Sequence, residues 1–186
     1  MSPYLVYILS VFFSLNLAMP EENFYSVHKK YYENAYSIKN DTTGIFTALI
    51  IDPAGEKVDS LVALAKNYLG FPYIFGGTTE RGFDCSGFVY FLFQKMGYPI
   101  PRMPADQCIL GEDIKFDDIQ RGDLIFFKGR NVYSNWIGHV GMAIEPDEKG
   151  TKRFIHAETY RTGVRVDSLT QPYYHQRFIR ATRIFR

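Results

Sequence analysis

Cysteine is scarce in this 186-residue chain, which contains only Cys85 and Cys108. No CxxC pair, no HExxH motif and no close group of histidines and cysteines occurs in the sequence. A structural zinc site and a scaffold held by several disulfides are therefore both disfavoured. The two cysteines have different surroundings, which indicates that at least one thiol is free. Cys108 stands in an ordinary context and is interpreted as a packing residue.

An excess of charge of one sign is also absent. The 21 basic and 20 acidic residues leave a formal net charge of +1. This balance gives no electrostatic reason to expect binding to nucleic acid or to an anionic membrane. We therefore expect no nucleic-acid partner.

The apolar run over residues 5–17 is too short to cross a bilayer, because a spanning helix needs roughly 20 residues. The run leads to Ala18, and the sequence becomes polar at Glu21. This order is typical of a secretory signal peptide, although no Lys or Arg precedes the run. Residues 1–19 are thus interpreted as a signal peptide or N-terminal apolar segment. We expect a secreted or periplasmic protein without integral membrane association after processing.

Apolar material is plentiful, with 46% hydrophobic and 17% aromatic residues. This content suffices for a packed core and for an aromatic-lined groove. The length fits one domain with a short appendage. Residues 20–55 are interpreted as an N-terminal extension of unknown role, too short to fold alone. Residues 56–186 form the predicted main domain.

Two helices are predicted at the start of this domain. Apolar residues recur at helical spacing over residues 58–69, and Gly70 with Pro72 ends the pattern. Residues 84–96 are apolar on most sides and stop at Gly97, as expected of a helix buried on most of its circumference.

Short β-like runs follow these helices and are separated by turn residues. They cover residues 123–127, 137–144, 153–157, 164–166 and 178–185. Helices that precede strands predict an α+β fold in which an antiparallel sheet packs on the early helices.

Cys85 lies at the start of the second predicted helix. A thiol is a useful nucleophile as the thiolate, and a helix N-terminus and a neighbouring imidazole both lower its pKa. Residues 84–87 are a polar start for an otherwise apolar helix, which indicates a site that solvent can reach. A capping Asp84 followed by a small core cysteine is the structural alternative.

His139 and His156 are the candidate partners of this thiol. His139 follows Gly138 on a predicted strand, where small residues mark a close approach to the backbone. His156 lies on the next predicted strand, and neighbouring antiparallel strands place side chains of one face side by side. We predict that Cys85 is the nucleophile, that His139 is the general base, and that His156 orients the His139 ring. A satisfied core histidine is the alternative for either position alone.

Six stretches in a fixed order carry a family resemblance. They are residues 73–77 (YIFGG), 83–89 (FDCSGFV), 100–107 (IPRMPADQ), 121–127 (RGDLIFF), 138–141 (GHVG) and 154–157 (FIHA). Over residues 57–186 the chain resembles the NlpC/P60 family of papain-like cysteine peptidases. The resemblance implies the papain-like NlpC/P60 fold and the same triad of Cys85, His139 and His156.

The resemblance also implies roles around the nucleophile. Tyr73 is expected to line the site and to polarise the scissile carbonyl, with the backbone N–H of Cys85 as a second oxyanion donor. An ordinary turn aromatic is the alternative for Tyr73. Asp84 and Ser86 match positions that contact the bound peptide, while Asp84 equally suits a helix cap.

Arg102 and Trp136 complete the candidate substrate-binding residues. Arg102 matches a family arginine that is often followed by Thr or Asp and then Ser, whereas Met103 and Pro104 follow it here. The apolar pair replaces residues that could form hydrogen bonds. A preference for peptides with a free amino terminus, which the resemblance would otherwise imply, is therefore in question. Trp136, the only tryptophan, lies in the loop before the His139 strand and forms one lip of the groove or packs under the loop.

The implied activity is hydrolysis of an amide bond in bacterial peptidoglycan stem peptides, between D-glutamate and a diamino acid, through an acyl-enzyme. The expected substrate partners are peptidoglycan peptides, the expected state is a monomer, and neither a metal nor another cofactor is expected. Two alternatives stay open: a related thiol amidase or acyltransferase on another amide or lipid, and a non-catalytic wall-binding protein. The intact triad residues disfavour the non-catalytic alternative.

Overall fold

The computed structural model describes residues 54–159 and 161–185. The predicted apolar segment 1–19 and residues 20–53 of the predicted extension lie outside this part of the chain. The two long helices precede the six-stranded sheet, in the predicted order, while a two-stranded hairpin and two one-turn helices interrupt this order.

The first helix, α1, spans Ala54–Lys66. Leu61, Val62 and Ala65 are buried, at the spacing that the apolar pattern predicts. The helix ends at Lys66, before the predicted limit at residue 69. The cause lies in the backbone, because the N–H groups of residues 67–69 each bond the carbonyl three residues back, which tightens the chain into turns. Leu69 is consequently exposed.

The second long helix, α2, spans Cys85–Lys95 and matches the helix predicted over residues 84–96. Most of its side chains are buried, as the apolar circumference requires. Gly97 follows with a φ of 81°, a conformation that glycine adopts without strain. The N–H of Tyr98 then bonds the carbonyl of Phe93 at 2.8 Å and closes the helix end. The predicted glycine stop is confirmed.

Several short elements escaped the sequence analysis, because two to four residues show no periodicity. Strands β1 (Thr78–Thr79) and β2 (Gly82–Phe83) form an antiparallel hairpin directly before α2. The one-turn helices α3 (Pro104–Gln107) and α4 (Pro172–His175) each begin with a proline. Proline suits the first helical position, where its missing N–H has no partner to lose.

Six strands form one antiparallel sheet with the spatial order β3-β8-β4-β5-β6-β7. The strands are β3 (Glu112–Ile114), β4 (Leu124–Lys128), β5 (Ile137–Ile144), β6 (Arg153–Ala157), β7 (Val164–Ser168) and β8 (Phe178–Arg183). All neighbouring pairs are antiparallel. The bounds of β5 and β6 equal the predicted ones, while β7 runs two residues further to Ser168.

The sheet and the helices meet at β5 and β6, against which α2 packs. A core cluster joins side chains of β3, β4, β5, β6, β8 and α4. Its buried members are Ile114, Ile119, Ile125, Phe127, Ala143, Phe154, Leu169, Tyr174 and Ala181. The predicted α+β class with an antiparallel sheet is confirmed. Over the described residues, none of the helices has the length and apolar character that crossing a bilayer requires.

Candidate active site

Cys85 is the first residue of α2, and its neighbour Asp84 caps the helix. The Asp84 carboxylate oxygen Oδ1 accepts a hydrogen bond of 2.7 Å from the N–H of Gly87. This bond satisfies one of the free donors of the first helical turn. The thiol of Cys85 is half-buried and free, so that it sits at an open helix start as the sequence predicts.

Opposing charges and donors surround the Cys85 sulfur. Burial raises the pKa of this thiol above its ordinary value, and the Asp84 carboxylate raises it further. Backbone N–H groups of Val140 and Ser86 and the guanidinium of Arg102 act in the other direction. The contact with Val140 places the sulfur against β5, next to the residue that carries the candidate base.

His139 and His156 come from the neighbouring strands β5 and β6. Their rings meet with 2.7 Å between Nε2 of His139 and Nδ1 of His156. The register pairs Met142 with Ile155, and its continuation puts Gly141 opposite His156. A Cβ on Gly141 would lie 2.6 Å from the Phe154 ring and 3.1 Å from the His156 Cβ. The predicted close approach to the backbone is therefore made by residues of β6 at Gly141 and by the backbone of Gly129 at Gly138.

Both imidazoles are held neutral. Burial, and then the adjacent His156 ring, lower the pKa of His139 well below its ordinary value. Burial also lowers the pKa of His156, against the opposite effect of Asp167. With the raised pKa of Cys85, these shifts mean that the resting site holds a thiol and a neutral imidazole near pH 7.

A cavity of about 270 Å³ brings the candidate residues together. Cys85, His139 and Tyr73 line it, whereas His156 lies behind His139 and is fully buried. Further lining residues come from the end of β4 and the loop after it, the start of β5, the segment after β6, and α4 with the turn that follows it. They are Phe127, Lys128, Gly129, Arg130, Gly138, Glu158, Thr159, Tyr173, Tyr174 and Arg177.

Tyr73 lies opposite the sheet, in the loop that pairs with Phe83 before α2. Its side chain is half-buried. Burial, followed by the proximity of Cys85 and Asp84, raises the pKa of its hydroxyl. The group therefore keeps its proton at neutral pH and can donate a hydrogen bond into the cavity.

Asp84, Ser86 and Arg102 contact one another rather than the cavity. Arg102 donates to Oδ2 of Asp84 at 2.5 Å and to the hydroxyl oxygen of Ser86 at 2.7 Å. The same Asp84 oxygen accepts from the N–H of Gly76 at 2.9 Å. Among the described residues, these three side chains are absent from the cavity lining. Trp136 is absent from it as well and is 61% exposed.

The sequence analysis missed Asp167, which lies on β7 behind His156. Its Oδ2 is 3.0 Å from Nε2 of His156, and its side chain is almost fully buried. The predicted strand ends at residue 166, so that Asp167 fell outside it and received no role. No sequence pattern singled out this residue, because Arg165 and Asp167 share one face of a strand and by themselves predict an ion pair open to solvent; the contact with His156 arises from the pairing of β7 with β6.

Metal ligation finds no support in this part of the chain. Over residues 54–159 and 161–185, no group of three or more His, Cys, Asp or Glu side chains could hold a metal ion. Cys85 and Cys108 are both free thiols.

A family model for the NlpC/P60 family matches residues 70–183. The chain belongs to the NlpC/P60 family. The match covers the sheet, α2 and every lining residue of the cavity.

Relatives of this NlpC/P60 chain are named as peptidases. A probable endopeptidase of Haemophilus influenzae is 37% identical over 137 residues, covering 70% of this chain and 78% of the relative. A gamma-D-glutamyl-L-lysine dipeptidyl-peptidase of Bacillus subtilis is 32% identical over 68% of this chain and 41% of its own. A murein DD-endopeptidase/murein LD-carboxypeptidase of Escherichia coli is 33% identical over 63% of this chain and 58% of its own. The chain thus spans less than half the length of the Bacillus subtilis relative.

Solved structures share the fold. An NlpC/P60 family protein from Bacillus cereus has a TM-score of 0.62 and 33% identity, over 69% of this chain and 40% of that one. The NlpC/P60 domain of the peptidoglycan hydrolase SagA has a TM-score of 0.56 and 30% identity, over 68% and 97%. The expected papain-like NlpC/P60 fold and the expected cysteine-peptidase class of enzyme are confirmed.

Proposed function

We propose that this NlpC/P60 enzyme hydrolyses the amide bond between D-glutamate and a diamino acid in bacterial peptidoglycan stem peptides. The observation that carries the proposal is the shared cavity, into which the Cys85 thiol and the His139 imidazole open with His156 on the far ring nitrogen. Relatives named for gamma-D-glutamyl-L-lysine and murein bonds support the choice of substrate. A nucleophile, a base and an orienting group are the parts that covalent amide hydrolysis needs.

The first step is attack by Cys85 on the amide carbonyl. Since the resting pair is a thiol and a neutral imidazole, His139 takes the sulfur proton as the bond from sulfur to carbon forms. The tetrahedral oxyanion is held by the backbone N–H of Cys85 and the hydroxyl of Tyr73. The carbon–nitrogen bond then breaks, and His139 returns the proton to the leaving amine.

Water then hydrolyses the thioester of the acyl-enzyme, and His139 again acts first as base and then as acid. His139 takes a proton from water, the hydroxide adds to the thioester carbonyl, and the carbon–sulfur bond breaks. The acid product leaves while the proton on His139 returns to the Cys85 sulfur. His156 holds the His139 ring through both steps, because its Nδ1 lies 2.7 Å from the nitrogen that faces away from the cavity.

The charge around the cavity supports a peptide that carries carboxylates. Lys128, Arg130 and Arg177 line it, against Glu158 as the acidic lining residue. Glu158 already accepts hydrogen bonds from the hydroxyls of Thr159 and Thr162. The remaining positive charge favours the free carboxylates of a stem peptide next to the scissile bond.

The site of action belongs to the same proposal. We place the enzyme outside the cytoplasm, secreted or periplasmic, on the strength of the apolar run over residues 5–17, and we propose separately that it acts as a monomer. Its substrate partners are then the peptides of the wall in that compartment.

Defined stem peptides test the proposal. Purified protein is incubated with peptides that contain D-glutamate linked to diaminopimelate or to lysine, each with free or amidated carboxyl groups, and products are weighed by mass spectrometry. We expect cleavage after D-glutamate, faster for free carboxylates, and a loss of on the order of 10³-fold or more in Cys85→Ala, because removal of a nucleophile abolishes the covalent route.

Other outcomes contradict it in distinct ways. Binding of peptidoglycan without cleavage, equal in wild type and Cys85→Ala, identifies a binding protein. Transfer of the acyl group to an added amine in preference to water identifies an acyltransferase. Cleavage that survives Cys85→Ala removes the thiol from the mechanism.

A further inference from the structure

A buried carboxylate lies behind the catalytic histidines and has no part in the mechanism above. Asp167 on β7 is 5% exposed, and its Oδ2 accepts bonds of 3.0 Å from Nε2 of His156 and from the hydroxyl of Tyr174. Its Oδ1 accepts bonds of 2.6 Å from Arg165 and 3.2 Å from Gln171. Four donors therefore converge on one carboxylate.

These donors keep Asp167 ionised. Burial by itself raises the pKa of a carboxyl group, but the bonds from His156 and Tyr174 and the charge of Arg165 outweigh it, so that the pKa of Asp167 lies below its ordinary value. An ionised carboxylate only accepts hydrogen bonds. The nitrogen of His156 that faces it, Nε2, must consequently carry a hydrogen.

The positions of two further protons follow from this one. Neutral His156 with a hydrogen on Nε2 has a lone pair on Nδ1, which can only accept. The partner at 2.7 Å, Nε2 of His139, must then be the donor. Neutral His139 is left with a lone pair on Nδ1, which is the form a general base needs to take the proton of Cys85.

We propose that Asp167 is a positioning residue that fixes the tautomers of His156 and His139 and so leaves the free lone pair of His139 for the thiol. The inference rests on the proposed function, since it assigns His139 the role of base. It extends the series of Cys85, His139 and His156 by a fourth residue, which acts through the other members and touches no substrate.

The variant Asp167→Asn tests the proposal with almost no change of shape. Its amide nitrogen has to replace one of the two carboxylate oxygens. At the Oδ1 position it would face the guanidinium of Arg165, which can never accept a hydrogen bond. At the Oδ2 position it faces His156 and Tyr174, and both can turn into acceptors, His156 by changing tautomer. The second orientation is therefore preferred.

A change of tautomer at His156 then forces a change of tautomer at His139. An amide N–H that donates to Nε2 of His156 moves the hydrogen of this ring to Nδ1, which then donates to Nε2 of His139. The hydrogen of His139 must move to Nδ1, where it blocks acceptance of the thiol proton. Asp167→Asn thus puts the base in the wrong tautomer while the fold is kept.

Nitrogen NMR of the full chain with ¹⁵N-labelled histidine measures the tautomers directly. We expect both His139 and His156 to carry the hydrogen on Nε2 in the wild type and on Nδ1 in Asp167→Asn. The reaction of Cys85 with iodoacetamide at pH 7 should slow by at least about tenfold in the variant, because the base is lost.

Asp123→Asn is the matched control. Asp123 is also a buried carboxylate paired with an arginine, Arg183, but it contacts neither histidine. We expect wild-type tautomers and a wild-type rate of Cys85 alkylation in this variant. A melting curve of each variant shows whether loss of a buried charge alone has unfolded it.

Several outcomes overturn the inference. One is a folded Asp167→Asn variant with both hydrogens still on Nε2 and full thiol reactivity, which leaves Asp167 a structural residue. Another is a wild-type spectrum with the His156 hydrogen on Nδ1, which decides the matter even if the variant fails to fold. Neither readout needs a peptide, so failure to cleave stem peptides counts against the proposed function and leaves this inference standing.

Discussion

The thiol pKa of Cys85 depends on two charged side chains that also bind each other. The Asp84 carboxylate raises the pKa and the Arg102 guanidinium lowers it, while the two groups form a 2.5 Å ion pair. The pair is predicted to contact the peptide, and its two members bind each other at the start of α2. Their effect on the site is therefore electrostatic as well as structural.

Neutralising either partner should shift the reactivity of Cys85 in opposite directions. Asp84→Asn keeps a capping side chain but removes the anion and leaves Arg102 unopposed, so the thiol pKa should fall. Arg102→Gln removes the cation and should raise it. The rate of alkylation of Cys85 against pH, read by mass spectrometry of the labelled peptide, measures both midpoints.

The second thiol provides the internal control. Cys108 is 1% exposed, and burial raises its pKa to about 11, so it should remain unlabelled under conditions that modify Cys85. Midpoints that move in the same direction in Asp84→Asn and Arg102→Gln would show that the two charges do not act on the sulfur as described.

At the scale of single elements, β5 carries the base two residues before Gly141, a position that has no room for a side chain. Gly141 lies where Phe154 and His156 of β6 come closest to the backbone of β5. The His156 ring lies within hydrogen-bonding distance of His139, with 2.7 Å between Nδ1 of His156 and Nε2 of His139. The glycines near His139 indicated a close approach, and the approach brings the orienting histidine to the base.

Replacement of Gly141 by alanine should damage both stability and the site. The new Cβ would lie 2.6 Å from a ring carbon of Phe154, and this ring is fully buried and has no room to move. We expect a loss of about 1–3 kcal/mol in the free energy of unfolding, as for other overpacked cores. Urea unfolding measures the loss, and Cys85 alkylation reports the displaced histidines.

Gly55→Ala is the matched substitution for this experiment. Gly55 lies in α1, and among the described residues no atom outside its chain neighbours and its own helix backbone lies within 4 Å of the position that its Cβ would take. Alanine in a helix should leave the stability unchanged or raise it by up to about 1 kcal/mol. Equal unfolding free energies for the two alanine variants would contradict the close approach at Gly141.

At the scale of the whole molecule, the two neutral histidines make stability depend on pH. The folded pKa of His139 is lowered by burial and by the His156 ring, so the unfolded chain binds protons more readily as the pH falls through about 6.5. A lowered histidine pKa contributes nothing above the unfolded pKa and costs stability below it. The low pKa of Asp167 acts in a more acidic range.

Acidification from pH 7 to pH 5 should therefore lower the free energy of unfolding by on the order of 1 kcal/mol or more, since one pKa unit corresponds to about 1.4 kcal/mol. The variant His139→Gln should lose less free energy of unfolding over the same range, because one buried titrating ring is gone. His175→Gln, which changes an exposed histidine, should follow the wild type. The midpoints of urea unfolding at both pH values measure these differences. A pH dependence in His139→Gln equal to that of the wild type would refute the assignment of the effect to the buried His139 ring.

The sequence by itself determined the elements that are long and regular. Residues 137–144 and 153–157 are short β-like runs bounded by turn residues, and residues 84–96 are apolar on most sides as a buried helix is, so local sequence patterns defined β5, β6 and α2. Cys85, His139 and His156 could be chosen because each lies in a short motif whose neighbours already restrict its environment. The short strands and one-turn helices were missed because they depend on partners distant in the sequence.

Only the tertiary structure decided what surrounds those three residues. The Asp167 carboxylate meets His156 because β7 pairs with β6, and the Arg102 guanidinium meets Asp84 because the chain after α2 folds back on its start. Side-chain hydrogen bonds and burial depend on where separate segments pack, and no local pattern of residues records them. The cationic lining of the cavity shows the same dependence. Lys128 and Arg130 lie far from Arg177 in the sequence, and only the folded chain brings them to one cavity.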